Sequence, residues 1–172
     1  MSLVRISDMM RAQYVKRFHI VHTIKHQSIA EHSFNVAMIS RRIAIEMGYD
    51  EDDVKTIMLA GLVHDLDEVI TGDIPTPTKM RAKAQGVDLN DNGIEIPYQC
   101  SGLEWVNRIV KISDYIEAMS FMEENAIGIH ALTVEADIGE KMESYIESTF
   151  TIEETTQILD VVNEIRQGGF TF

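Results

Sequence analysis

The residues best suited to chemistry in this chain are His32, the adjacent pair His64-Asp65, Glu68 and Asp114. Each ligand candidate among them sits at an inward position of an apolar run. Ile29, His32, Val36, Ile39, Ile43 and Met47 recur at three- and four-residue steps, which places His32 on the buried face of a helix. Asp65 falls within the stripe Val54, Ile57, Met58, Gly61, Leu62, Leu66 and Val69, and Asp114 among Val110, Ile112, Tyr115 and Ile116. An ionised carboxylate taken out of water needs a cation, a hydrogen-bond cluster or a metal. A lone inward histidine is more often a hydrogen-bonded core residue than a ligand. Two histidines and two aspartates converging from different helices instead make a mixed imidazole and carboxylate shell, suited to Co, Mn or Zn, or to Fe or Ni, far better than to Ca. Such an ion can acidify a water and stabilise charge growing on a phosphoryl group. Glu68 follows His64 by four residues and Asp65 by three, so all three can converge on one end of a helix.

Helices must do the positioning. Ser28-Ile29-Ala30-Glu31 is a capping box opening a helix that runs to Met47 and stops at Gly48. Asp50 caps a second, with Glu51, Asp52 and Asp53 in its first turn, expected to run to Thr71-Gly72. The three prolines, Pro75, Pro77 and Pro97, fall in a long connection with Gly72, Gly86 and Asn92-Gly93, where Lys79 to Gln85 forms a short helix. Connections of that length are usually functional or mobile. A box at Ser101-Gly-Leu-Glu104 opens a helix to about Asn125, another helix spans Val134 to Glu147, and Thr151-Ile-Glu-Glu154 opens a last one ended by Gly168. Only Gly93 to Tyr98 reads as extended. The expectation is an all-α fold: one domain over 1–172, a bundle of five or six main helices.

The 172 residues hold 15 Lys and Arg against 28 Asp and Glu, a net charge of −13, which argues against polymeric nucleic acid or an anionic membrane surface as partner. The charge is uneven. The first 42 residues carry Arg5, Arg11, Lys16, Arg17, Lys25, Arg41 and Arg42 against only Asp8 and Glu31, a region that would attract a small anion. Cys100 is the single cysteine, so neither an internal disulfide nor a Cys-rich zinc module is possible. With no long apolar run and no signal-like start at Met1 to Met10, a cytoplasmic, unprocessed chain is expected.

His32, then His64-Asp65, then Asp114, resembles the H…HD…D signature of the HD-domain metal-dependent phosphohydrolases. Flanking segments narrow the resemblance: Arg17-Phe18, Ser28-Ile-Ala-Glu-His-Ser33, and the run His64-Asp-Leu-Asp-Glu-Val-Ile-Thr-Gly-Asp-Ile-Pro-Thr-Pro-Thr-Lys79. They are similar to the branch containing the YfbR-type 5′-deoxynucleotidases and the short phage dATP triphosphohydrolases, over roughly residues 11–120. The resemblance implies His32, His64, Asp65 and Asp114 as metal ligands. It implies that Glu68 orients or deprotonates the attacking water, that Asp73 assists on the opposite side of the phosphate, and that Arg17 and Lys79 hold phosphate oxygens. Phe18, Ile20 and Pro77 would line the nucleoside pocket. Phe18 stands where the nucleotidase branch has Trp; it keeps a stacking face and loses the indole donor, which bears on how deoxyribose is told from ribose.

The resulting expectation is a metal-dependent deoxynucleotide phosphohydrolase that releases deoxynucleoside and triphosphate from dATP, with Mg accompanying the triphosphate. Arg81 and Lys83, near Lys79, add charge that a triphosphate could use. Hydrolysis of dNMPs by the same residues is the alternative, and a non-catalytic metal and nucleotide sensor is an alternative of another class. The family also implies dimers or hexamers, to which the apolar Phe170 and Phe172 could contribute.

Overall fold

Ser28 opens the first long helix as its side-chain chemistry requires: its Oγ accepts from the Glu31 amide (3.2 Å) while Glu31 Oε2 accepts from the Ser28 amide (2.8 Å). The computed structural model describes residues 2–89, 94–95 and 102–168, with the backbone alone considered at 2–3 and 94–95. In chain order these form β1 (Ser2–Leu3), α1 (Ile6–Met9), a 3-10 segment (Met10–Tyr14), β2 (Lys16–Arg17), β3 (Gln27–Ser28), α2 (Ile29–Glu46), α3 (Glu51–Val63), α4 (Glu68–Thr71), α5 (Thr76–Ala84), β4 (Ile94–Glu95), α6 (Glu104–Asn125), α7 (Gly128–Thr149) and α8 (Ile152–Arg166). The fold is all-α. Eight helices are described where five or six main ones were expected, two of the eight being single turns. Among the described residues strands are confined to two two-residue pairs, β1 parallel to β4 and β2 antiparallel to β3. Among the described residues no helix is long and apolar enough to cross a membrane.

Two apolar clusters hold the helices together. The larger joins Val36, Ile43, Val54, Ile57, Ile109, Ile112, Ile116 and Ile158, drawn from α2, α3, α6 and α8. The smaller gathers Val4, Ala12, Ile29, Val63, Leu66 and Val69. Fully burying one such aliphatic side chain stabilises the fold by roughly 2 kcal/mol. On α2, His32 lies between Ile29 of one cluster and Val36 of the other, so the polar centre occupies the seam. The crossing of α2 and α3 is close because residue 61 is glycine: a Cβ there would stand 3.1 Å from Ala37 Cα and 3.2 Å from Ser40 Oγ.

Four expectations need correction. The helix begun at Asp50 does not continue to Gly72; it stops at Val63, and α4 starts only at Glu68. Between them Leu66 N bonds Val63 O and Glu68 N bonds Asp65 O, a tighter winding than the α-helix. Leu62, assigned to the buried stripe, is exposed, and Ala60 and Val63 are buried in its place. The helix α6 begins at Glu104 with Leu103 as its cap, and Gly102, at φ +106°, stands outside it. Ser101 lies outside the described residues, as do Asn92-Gly93, Pro97, Tyr98, Cys100, Phe170 and Phe172. α7 begins at Gly128 rather than Val134, with Ile127 as its cap, six residues before the expected start. The Thr151 box holds: Thr151 Oγ1 accepts from Glu154 N (3.3 Å) and Glu154 Oε2 from Thr151 N (2.9 Å).

Candidate metal centre and active site

Neighbouring residues on a regular helix diverge by roughly 100° and do not face a common point. The tight turn after Val63 removes that obstacle for His64 and Asp65, whose Nε2 and Oδ2 atoms lie 3.3 Å apart. From α2, His32 Nε2 approaches His64 Nε2 at 3.2 Å and Asp65 Oδ2 at 3.4 Å. From α6, Asp114 Oδ1 completes the group, 3.4 Å from His32 Nε2. One ligand atom each from His32, His64 and Asp114 falls within 4.8 Å of the others. Ligands 2.0–2.1 Å from a tetrahedral zinc ion are about 3.4 Å from one another; the donor types fit a small divalent transition metal, with His32, His64 and Asp114 as the compact set and Asp65 reaching the two imidazoles. The histidine tautomers agree: His64 Nδ1 donates to the Gly61 carbonyl (2.7 Å), and His32 Nδ1 lies 2.6 Å from Glu117 Oε2, leaving both Nε2 atoms directed at the cluster.

The electrostatics ask for a cation. Burial disfavours a charged His32, as does Arg17, yet Asp114, Asp65 and Glu117 outweigh both and lift its pKa to about 10. Burial pushes Asp65 and Asp114 the other way, and nearby cationic partners win: His64 and His32 hold Asp65 well below the usual carboxylate range, and His32 and Lys111 do so for Asp114. Glu68 is different. Burial, then the charges of Asp65 and Asp73, raise it to about 8 against the opposing pull of Lys79.

Glu68 is only 6% exposed; its Oε1 accepts from Lys79 Nζ (3.3 Å), while Oε2 has no partner among the described residues. Lys79 reaches it from α5. Arg17 is placed by the β2–β3 register opposite Gln27, and its guanidinium donates to Gln27 Oε1 (3.1 Å), contacts Glu117 Oε2 (3.3 Å) and stands 3.6 Å from Asp114 Oδ1. The next residue, Phe18, has φ +53°, a conformation that bulky side chains rarely adopt. Its amide donates to Asp73 Oδ2 (3.2 Å), and its ring stacks on Phe121 (centroids 5.5 Å apart). The loop is then fastened to the α6–α7 junction, with Ile24 N bonding Asn125 O and Ile127 N bonding His22 O.

A cavity of about 280 Å³ opens beside this loop. Phe18, Ile20, Asp73 and Pro77 line it together with Arg17, so the expected nucleoside-contacting residues are brought to one place, Ile20 with 55% of its surface exposed. Lys79 is not among its lining residues; it pairs with Glu68 instead. The far wall comes from α7, through His130, Val134, Asp137, Ile138 and Lys141, none of them expected from sequence. A second cavity, about 440 Å³, meets the cluster at His64, Asp65 and Asp114 and includes Lys111, whose Nζ donates to Asp114 Oδ2 (2.8 Å). It shares Asn107 and Tyr145 with a third of about 820 Å³ that continues past Arg108. Arg81 and Lys83 are exposed on α5.

A family model described as 5′-deoxynucleotidase YfbR-like matches residues 6–89. A dATP triphosphohydrolase of Salmonella phage PMBT28 is 35% identical over 148 residues, covering 81% of this chain and 76% of its own. The chain belongs to the family of the phage dATP triphosphohydrolases. A dATP triphosphohydrolase of Cyanophage S-2L is 30% identical over 138 residues, 78% of this chain and 79% of its own. A 5′-deoxynucleotidase of Vibrio atlanticus is 33% identical over 72 residues, 40% of this chain and 37% of its own. Among solved structures, the Cyanophage S-2L HD phosphohydrolase (DatZ) bound to dA and one catalytic Zn2+ ion superposes with a TM-score of 0.80 at 24% identity, covering 98% of this chain and 100% of that one. The chain therefore shares that fold. It is an enzyme of the deoxynucleotide-hydrolysing kind.

Sequence reasoning missed Glu117, Gln27, Asn35 and Lys111. Glu117 carried a usable signal: it is an acid between Ile116 and Ala118, three residues after Asp114, the same anomaly that singled out Asp65. Gln27 carried none, since its partners Arg17 and Glu117 are distant in sequence; Lys111 stands one helical turn before Asp114 and was open to the same spacing argument.

Proposed function

We propose that this HD phosphohydrolase hydrolyses dATP to deoxyadenosine and triphosphate. The observation that carries the reading is the pair of cavities flanking the ligand cluster. Arg17 lines the nucleoside-sized one, Asp114 lines the other, and the two side chains are 3.6 Å apart. A monophosphate would need only the first. The second, with Lys111 at its wall and a continuation past Asn107 to Arg108, has room for the β- and γ-phosphates and two cationic side chains that could turn to them.

His32, His64, Asp65 and Asp114 would hold a divalent transition metal, with Zn or Co the best match to two nitrogens and two oxygens, and the ion would supply Lewis acidity toward a water and the α-phosphoryl group. Glu68 is positioned to take the proton of the attacking water: its Oε2 is buried without a partner and its raised pKa makes it a competent base near neutrality. As the bond from phosphorus to the 5′-oxygen breaks, that oxygen gains a proton. Asp73 lies on the nucleoside side, where this leaving oxygen would emerge. Arg17 and Lys79 neutralise the α-phosphate, and Phe18 with Pro77 holds the nucleoside against the wall formed by α7. Copies are expected to associate through exposed apolar residues of α7 such as Ile129 and Leu132, which sedimentation would read directly.

The test is a product assay on the metal-loaded protein with dATP and dAMP across Zn, Co, Mn and Mg. Deoxyadenosine and triphosphate from dATP are expected. Phosphate from dAMP, with no nucleoside from dATP, would establish the 5′-deoxynucleotidase reading instead. Lys111→Ala should lower dATP turnover by about 10-fold or more and any dAMP turnover by less, the smaller loss coming from its broken contact with Asp114.

A further inference from the structure

Glu117 is buried to 3% exposure on α6, and neither the family signature nor the hydrolytic steps above assign it a role. Its two oxygens are committed differently. Oε1 accepts from Gln27 Nε2 (2.5 Å) and Asn35 Nδ2 (3.0 Å); Oε2 lies 2.6 Å from His32 Nδ1. A bare Nδ1 would face that carboxylate lone pair to lone pair, so the ring proton resides on Nδ1 and is donated to Oε2. Arg17 Nη1 approaches the same nitrogen at 2.6 Å, but a guanidinium accepts nothing, which leaves Glu117 as the recipient of that proton.

We propose that Glu117 is a positioning residue that presents His32 Nε2 to the metal and, through Gln27, ties Arg17 to the same scaffold. Gln27 is the joint: its Nε2 donates to Glu117 and its Oε1 accepts from Arg17. One carboxylate therefore fixes the tautomer and rotation of a metal ligand while helping to set the guanidinium that faces the phosphate. Partners of this kind raise the basicity of a ligating imidazole, and their loss weakens metal binding by about 10–100-fold. Glutamine cannot substitute. Its single carbonyl oxygen can serve His32 Nδ1 or the amides of Gln27 and Asn35, and whichever side meets its NH2 group faces donor against donor.

The proposal rests on the metal-centre reading, and the experiment separates the two. Metal-stripped full-length protein is titrated with Zn in competition with a chromophoric chelator, and the Co(II) absorption spectrum is recorded, for wild type, Glu117→Gln and Asn35→Ala. Wild type is expected to take up one equivalent. Glu117→Gln should bind about 10–100-fold more weakly with an altered Co(II) spectrum, and Asn35→Ala, at an exposed position, about threefold or more weakly. Thermal unfolding of each metal-free variant within a few degrees of wild type separates positioning from general destabilisation. Wild-type affinity in folded Glu117→Gln overturns the proposal. If that variant does not fold, unchanged affinity in Asn35→Ala overturns it. A wild type that takes up no ion ends both readings.

Discussion

The metal cluster and the nucleoside cavity lie side by side and are built in opposite ways. The cluster takes its four side chains from the ends and faces of α2, α3 and α6, elements that share the main apolar core. The cavity is assembled from a positive-φ loop at Phe18, the proline-rich start of α5 and one face of α7, of which only Ala131 and Ile146 are buried. Rigid elements hold the atoms whose placement must be accurate to tenths of an ångström. A surface loop and a helix with one face open hold the part that would admit and release a nucleoside.

Variants on the two sides should differ accordingly. Asp65→Ala should have the largest effect, removing bound metal and with it all measurable hydrolysis; elemental analysis and a product assay check both, and retained turnover would place the active site elsewhere. Glu68→Gln should keep the metal and lose about 10²–10⁴-fold in kcat. It should also remove a pH limb. Glu68 works as a base only when ionised, so wild-type activity should rise with pH through its titration, below about 8 because a bound cation favours the carboxylate. Phe18→Ala should raise KM by about 2–10-fold with little change in kcat, the value of one stacked ring contact. Ile20→Ala, at a position half open to solvent, should change kcat/KM by no more than about threefold. A Phe18 variant that lost metal would erase the division between the two regions.

The same division governs what could be read from sequence. His32, Asp65 and Asp114 announced themselves because an inward polar residue in an apolar helical stripe is locally anomalous, and the boxes at Ser28 and Thr151 fixed helix starts through contacts three residues apart. The helix break at 64–67 was invisible, since hydrophobic periodicity runs through it to Val69. The α7 wall of the cavity was equally hidden. His130, Asp137 and Lys141 acquire meaning only because hydrogen bonds at Ile24 and Ile127 fasten the Phe18 loop to the start of that helix. Arg17 and Phe18 were legible through the family resemblance, but the register opposite Gln27 that aims the arginine was not.

Gly61 gives the centre a tolerance that can be tuned. Its missing side chain sets how near α2 and α3 come, and its carbonyl orients His64, so helix spacing and ligand orientation meet at one residue. Adding a single methyl group there would wedge the helices apart by a few tenths of an ångström and widen the 3.2 Å gap between the two imidazole nitrogens. A wider bite suits a larger ion. Gly61→Ala should therefore shift competition between Zn and Mn toward Mn, which would make the crossing of two helices, rather than any ligand, the element that selects the metal by its radius.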